Sequence, residues 1–191
     1  MAFGTPTFLE DATFLGDAMV LEDAMFLEDA TFLEDTKFFD VLPSPLGDLT
    51  LCADEIGITA VAFPGEVPRC ATPNPNALVR EAAAQLRDYF AGRRTAFDLP
   101  LHPVGTAFQR RVWQALCTVP HGETASYGEI AAAIGNPRAS RAVGLANGHN
   151  PIAIVVPCHR IIGRDGALTG YGGGLERKRW LLEHERPRAG R

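Results

Sequence analysis

SYGEIAAAIGNPRASRAVGLANG, residues 126–148, holds two helix signatures separated by a turn, and the fold class depends on how they are read. Ser126 followed three residues later by Glu129 is a capping box that opens the first helix, and Gly135 closes it. Asn136 and Pro137 then read as the N-cap and first-turn proline of a second helix over RASRAVGLANG. Two short helices on a three-residue turn suggest a helix-turn-helix, although an αα-hairpin in a plain bundle gives the same pattern. The second helix is nearly bald: Ala139, Ser140, Ala142, Gly144, Ala146 and Gly148 leave Arg138 and Arg141 as its long side chains. Such a helix packs closely on another helix or on the floor of a nucleic-acid groove. The arginines suit the groove, but Ala/Gly helices are common in cores, and both readings stand.

Upstream, Thr106 with Gln109 forms a second capping box and opens a helix over TAFQRRVWQALCTV. The Pro- and Gly-punctuated residues 95–105 before it read as a linker. NALVREAAAQLRDYFAG predicts a helix with Asn76 as N-cap and Gly92 as stop. FFDVLPSPLGDLTLCADEIGITAVAF, from Phe38, reads as short strands broken by Pro-Leu-Gly and Asp-Glu-Ile-Gly turns. The expected class is therefore α+β. A small N-terminal antiparallel sheet and helix domain (38–100) precedes a mostly helical C-terminal domain (106–186) carrying the helix-turn-helix.

The first 37 residues repeat FLEDAT-like hexads from Phe8 to Lys37. A six-residue period turns a helix by about 240°, so the phenylalanines form no single stripe. An acidic leader over 1–37, poorly ordered, is expected; a packed or partner-binding role is the alternative. Ten acids against Lys37 give the first 40 residues a net charge of −9, while the remaining 17 bases and 13 acids give the body +4. That balance permits docking on phosphates without arguing for it. Cys52, Cys70, Cys117 and Cys158 include no C-x-x-C pair, which removes the zinc-knuckle and dithiol readings and fits a reducing compartment. There is no signal-peptide pattern and no run near the roughly 18 apolar residues of a membrane span, so a cytoplasmic protein with no membrane partner is expected.

The chemistry concentrates in IAIVVPCHRIIG, residues 152–163. A proline halts an apolar, strand-like run, and a thiol, an imidazole and a guanidinium follow directly. Free cysteine is usually a small buried hydrophobe, but one beside histidine can be activated as a thiolate nucleophile. Neighbours in an extended chain face opposite ways, so Cys158 and His159 reach each other through a water unless the chain turns.

VPCHR, with SYGEIAAAIGNPRASRAVGLANGHNP before it and GALTGYGGGLERKRWLLEHE after it, closely resembles the O6-alkylguanine-DNA alkyltransferases, continuously from about Thr106 to Glu185. SPLGDLTL resembles their variable N-terminal domain, and the hexad leader has no counterpart. The resemblance implies DNA repair by irreversible, single-turnover transfer of an alkyl group from guanine O6 to Cys158, with O4-alkylthymine an open second substrate. It implies that His159 deprotonates the thiol through a water, that Glu185 orients His159, and that Tyr127 donates toward guanine N3. Arg141 would fill the space of the flipped nucleotide, with Ala139, Ala142, Gly144 and Arg160 on the DNA side. Asn150 would brace the joint between the helix-turn-helix and the active-site loop. Tyr171 would wall the pocket, the Gly172 backbone would reach O6, and the carbonyls of Cys158 and Ile161 would accept from the guanine amino group. The implied partner is duplex DNA carrying O6-alkylguanine, bound by a monomer with no cofactor and no metal; positions that hold structural zinc in some relatives find no match here.

These roles cohere chemically: carbon–oxygen cleavage needs a soft nucleophile and a neutral leaving base, and the thioether product offers no second bond to attack. One departure stands out. Many relatives carry a larger residue after the tyrosine, whereas Gly172 to Gly174 follow Tyr171 here, which leaves the preference for methyl over larger groups open. The competing classes are a cysteine hydrolase, which leaves the DNA-binding helices unexplained, and a lesion-binding module, in which Cys158 would have no purpose.

Overall fold

The computed structural model describes residues 6–9, 38–64 and 73–187. The acids of the hexad repeat and Cys70 lie outside them. Strands β2 (Phe38–Leu42), β3 (Leu49–Ala53) and β4 (Ile58–Ala62) form the expected antiparallel meander. Its turns use the predicted residues. Gly47 takes φ +96 and closes the first turn on the Ser44 carbonyl at 3.1 Å, and Asp54 Oδ1 accepts from the Ile56 and Gly57 amides at 2.8 Å each. β3 is buried at every position, because helix α1 (Ala77–Phe90) covers the sheet and the strand is central.

α1 is capped as expected: Asn76 Oδ1 accepts from the Val79 amide at 2.9 Å, and Gly92 follows at φ +70. Val79, Ala82, Ala83, Leu86 and Tyr89 make its buried stripe at helical spacing.

Two expectations fail here. Residues 95–105 are not a plain linker: β5 (Pro100–Leu101) pairs in parallel with β4, Leu99 and Leu101 are buried, and Gln85 clamps both backbone groups of Asp98 at 2.8 and 2.9 Å. Nor is the whole leader without structure. β1 (Thr7–Phe8) adds a parallel edge strand to β5, with Thr7 and Leu9 amides donating to the Leu99 and Leu101 carbonyls. The open edge of β5 offers unpaired backbone groups, and the strand lies on it with Phe8 half-buried between exposed Thr7 and Leu9.

In the C-terminal part, α2 (Ala107–Leu116) and α3 (Tyr127–Ala133) each open on the predicted capping box. β6 (Ala125–Ser126) runs into α3, which packs against α4 (Ser140–Gly148), and α2 packs on both. Trp113 of α2 is fully buried and donates from Nε1 to the Ala146 carbonyl of α4 at 2.8 Å. Gly135 ends α3 at φ +77, as expected. Asn136, however, is not the cap of α4. Its carbonyl accepts from the Ala139 amide to close a turn through Pro137 and Arg138, and the helix starts two residues later than the sequence predicts, with Ala139 as its uncapped first boundary. The last helix, α5 (Leu175–Glu185), returns beneath the active-site segment and meets α1.

The two parts are joined at the site itself. The Val61 amide of β4 donates to the Pro151 carbonyl, and the Ala153 amide donates back to Val61, both at 3.0 Å. The chain leading to Cys158 is thus held on the N-terminal sheet.

Candidate active site and DNA-facing helix

Residues 152–156 are buried throughout, but they are not the straight strand that the apolar run predicts. The Val155 amide folds back to Ala153 at 2.8 Å, the Val156 amide reaches Ile152 at 3.0 Å, and Ile154 sits at φ +72, a costly conformation for a β-branched residue. After Pro157 the chain makes a 3-10 turn over Cys158–Arg160 and continues into β7 (Ile161–Ile162), which pairs with β6. The turn is what lets a thiol, an imidazole and a guanidinium in sequence all serve one buried cluster.

Cys158 is 5% exposed. Asn150 Nδ2 donates to its Sγ at 3.0 Å and to the Val156 carbonyl at 2.9 Å, while Asn150 Oδ1 accepts from the Ile152 amide at 3.0 Å. Burial pushes the thiol pKa up; the Asn150 hydrogen bond, the Lys178 charge and the Tyr171 hydroxyl pull against it without cancelling it.

His159 is wholly buried, with Nε2 2.9 Å from Glu185 Oε1. A carboxylate only accepts, so Nε2 carries the proton and Nδ1 presents a lone pair. Nδ1 is buried and makes no hydrogen bond among the described residues. Burial lowers the His159 pKa and outweighs the opposing pull of Glu185, so the ring is neutral at rest. Burial alone would raise the pKa of Glu185, but bonds and charge from His159 and Arg160 outweigh it and hold the carboxyl far below the usual range.

Arg160 does not face DNA, contrary to the sequence expectation. It is buried, donating from Nε to Glu185 Oε2 at 2.8 Å, from Nη2 to Oε1 at 3.0 Å and from Nη1 to the Val119 carbonyl at 2.6 Å. Its planar fork is used up within the relay.

The sequence missed Lys178. In LERKRW it reads as one base on a solvated face, yet it is fully buried, donating from Nζ to the carbonyls of Ile161 at 2.5 Å and Thr169 at 2.9 Å. Desolvation lowers its pKa. The Ile161 carbonyl, expected to receive the guanine amino group, thus already has a donor. The Cys158 carbonyl likewise accepts from the Ile161 amide and from Asn147 Nδ2 at 3.4 Å. The Ile161 carbonyl keeps a second lone pair beside Lys178, whereas both lone pairs of the Cys158 carbonyl are engaged, one of them only by the long Asn147 contact.

The Tyr127 ring lies against Gly144 of α4, and its hydroxyl meets Thr169, accepting from Oγ1 at 3.3 Å and donating to the carbonyl at 3.4 Å. Tyr171 is half-buried and packs edge-on to Phe63, ring centres 6.0 Å apart, so a residue of the N-terminal domain forms part of the wall. The three following glycines are not equivalent. A Cβ at Gly173 would fall 2.5 and 2.6 Å from the Phe63 ring, Gly174 takes φ +86, and a Cβ at Gly172 would make only ordinary contact, 3.5 Å from the Gly148 carbonyl. Only the first of them could take a side chain without a clash or a strained backbone.

α4 buries Val143, Ala146 and Asn147 and exposes Arg141, Ala142, Leu145 and Gly148. Ala139 and Gly144 are half-buried, Gly144 under Tyr127. Leu145 is 67% exposed, one turn after Arg141 on the same open face. Among the described residues, no three His, Cys, Asp or Glu side chains gather as a metal site, and no helix is long and apolar enough to cross a membrane.

Two family profiles match the chain: the 6-O-methylguanine DNA methyltransferase ribonuclease-like domain over residues 37–103, and the DNA binding domain of the same family over 107–187. Among curated proteins, the methylated-DNA–protein-cysteine methyltransferase of Mycobacterium tuberculosis is 54% identical over 155 residues, which span 79% of this chain and 93% of that one. Its counterpart in Methanosarcina barkeri is 50% identical over 152 residues, spanning 78% and 96%. Among solved structures, the Mycobacterium tuberculosis OGT in complex with DNA is 55% identical with a TM-score of 0.73, covering 78% of this chain and 92% of that one. The O6-methylguanine methyltransferase of the same organism gives 53% and 0.72, with coverage of 80% and 96%.

Proposed function

The chain belongs to the 6-O-methylguanine DNA methyltransferase family, and from that premise we propose that Cys158 is its alkyl acceptor, served by His159, Glu185 and Tyr127. The protein repairs DNA by moving a methyl group from guanine O6 to a cysteine. The observation that carries the residue assignment is the relay behind Cys158: a turn sets beside that thiol a buried neutral imidazole, with Nε2 committed to Glu185 and Nδ1 bare.

In this reading His159 Nδ1 takes the thiol proton through a water, Glu185 stabilises the imidazolium, and Asn150 and Lys178 stabilise the thiolate. Sulfur attacks the alkyl carbon, the carbon–oxygen bond breaks, and its electron pair leaves with guanine. Tyr127 offers a proton toward N3 so that the base departs neutral. The product is a thioether on Cys158, which nothing in the site can cleave, so each molecule acts once. Tyr171 and the Gly172 backbone border the base.

The open face of α4 supports duplex DNA binding with the damaged nucleotide extruded, Arg141 filling the gap and Ala139 and Ala142 allowing close approach. Gly144 serves the reaction through the Tyr127 ring it accommodates. A monomer working in the cytoplasm without cofactor completes the proposal.

Incubation with a duplex carrying O6-methylguanine, followed by intact and peptide mass analysis, tests it. Stoichiometric methylation of Cys158 is expected, together with duplex binding but no transfer in Cys158→Ala. Methyl transfer to Cys52 or Cys117, or turnover without an adduct, would overturn it.

A further inference from the structure

We propose that Tyr89 is a positioning residue of the transfer reaction, through which the N-terminal domain holds and tempers the carboxylate that orients His159. The proposal rests on the reading of Cys158 as acceptor and His159 as its base. Tyr89 belongs to α1, 96 residues from Glu185 in sequence, and its hydroxyl donates to Glu185 Oε1 at 2.8 Å in a fully buried setting. The same oxygen receives His159 Nε2 at 2.9 Å and Arg160 Nη2 at 3.0 Å; Oε2 receives Arg160 Nε at 2.8 Å and the Gly122 amide at 3.3 Å. Five donors more than fill the roughly four acceptor directions of a carboxylate.

The charge balance gives Tyr89 its leverage. Arg160 neutralises Glu185, and His159 is neutral at rest, so the relay buries no net charge. When His159 accepts the thiol proton, its imidazolium is stabilised by whatever acceptor strength Oε1 has left. Tyr89 draws on that strength, because a donor hydrogen-bonded to a carboxylate spreads its negative charge. It therefore lowers the proton affinity of His159 while fixing the carboxylate in place.

The ionisable groups around the relay come from several elements. His159 and Arg160 face Glu185 from the active-site turn and Tyr89 from α1. His121, from the loop before β6, faces the carboxylate and packs edge-on to Tyr89 at 6.2 Å, and His184 of α5 bonds the Tyr89 carbonyl at 2.8 Å. Lys178 acts on Cys158 and His159, and Cys117 lies in the field of Arg160. Among the described residues, Tyr89 alone places a neutral donor from the other domain on the carboxylate. Its ring also contacts Phe90, Phe97 and His184, contacts that Tyr89→Phe preserves.

The test is the single-turnover rate at saturating O6-methylguanine duplex, measured from about pH 5 to 9 across the imidazole and thiol range. Removing the hydroxyl makes His159 a stronger base that stays protonated, and so unable to take the thiol proton, to higher pH; the midpoint in Tyr89→Phe should therefore move up by about half a pH unit, a roughly threefold loss of rate at the acid foot of the curve. A fluorinated tyrosine at 89, a stronger donor of nearly the same size, should move it downward. Phe97→Leu, which loosens the same cluster without touching the hydroxyl, should lower the melting temperature and leave the midpoint in place. Profiles that superimpose, or an equal shift in Phe97→Leu, would overturn the role of Tyr89. Loss of the Cys158 adduct in the unaltered protein would instead overturn the reading beneath it.

Discussion

Asn150 Nδ2 stands 3.0 Å from Cys158 Sγ and closes the segment between them by also bonding the Val156 carbonyl. The amide thus fixes the path of the loop and supplies a donor to sulfur, and the donor is worth more once the sulfur is charged. Asn150→Ala should raise the apparent thiol pKa, because burial, which raises it, is then opposed by less. A hydrogen bond to a charged group is worth about 1.5–3 kcal/mol, so transfer near neutral pH should slow by roughly tenfold to a hundredfold. The loss should shrink as pH rises. Equal slowing at every pH would leave Asn150 only its role in the loop.

Glu185→Gln should slow transfer near neutral pH and recover in part at higher pH, since a neutral amide stabilises the imidazolium less. It should also destabilise the fold by about 3–5 kcal/mol, the range for a broken buried ion pair, because Arg160 loses its counter-charge. The carboxyl pKa is depressed on folding. The stability it contributes is therefore present above the ordinary carboxylate range and lost only as pH falls toward the folded value, below that range. Thermal melts as a function of pH should show the gap between the two proteins narrowing in acid. A constant gap would detach the stability difference from the charge of Glu185.

Arg141→Ala separates extrusion from chemistry. Losing a specific contact of about 1–3 kcal/mol should slow reaction with an alkylated duplex by about tenfold to a hundredfold. Reaction with a free modified base such as O6-benzylguanine should hardly change. Equal loss on both substrates would mean that Arg141 supports the pocket instead.

Arg160 and Arg141 should respond differently to salt. Arg141→Ala should reduce the slope of log affinity against log salt by about one contact, and Arg160→Ala should leave the slope unchanged while lowering the melting temperature. A reduced slope in Arg160→Ala would return that residue to the DNA surface.

Deleting residues 1–37 should preserve folding and transfer. It removes two edge-strand hydrogen bonds, at Thr7 and Leu9, at a cost of roughly 1–3 kcal/mol by the usual net value of such bonds. Removing the acidic hexads should tighten DNA binding at low salt, an effect screened as ionic strength rises. Loss of transfer would show the leader to be part of the working domain.

Local chemistry was legible in the sequence. The caps at Asn76, Thr106 and Ser126 and the stops at Gly92 and Gly135 are set by residues within one turn of each other, and all are where the sequence puts them. The start of α4 was not, because Asn136 spends its carbonyl on closing the turn. Long-range contacts were less accessible. Nothing in LERKRW distinguishes Lys178, which points inward, from its solvated neighbours, and Arg160 beside a reactive turn looks as suited to phosphate as to a buried carboxylate. β5 was hidden because a strand of two residues gives no alternation to read. Nothing in NALVREAAAQLRDYFAG marks out Tyr89, since its partner lies in the last helix.

A protein spent by each lesion it meets gains nothing from faster recycling; what selection can alter is the range of lesions admitted. In the pocket proposed behind Tyr171, that range is adjustable at one place. Gly173 is held by the Phe63 ring, which a side chain would have to displace, and Gly174 by a left-handed backbone that a side chain would strain. Gly172 is held by neither, and in the proposed pocket a side chain gained at that single codon would narrow the spectrum of damage while leaving the proposed acceptor and its relay untouched.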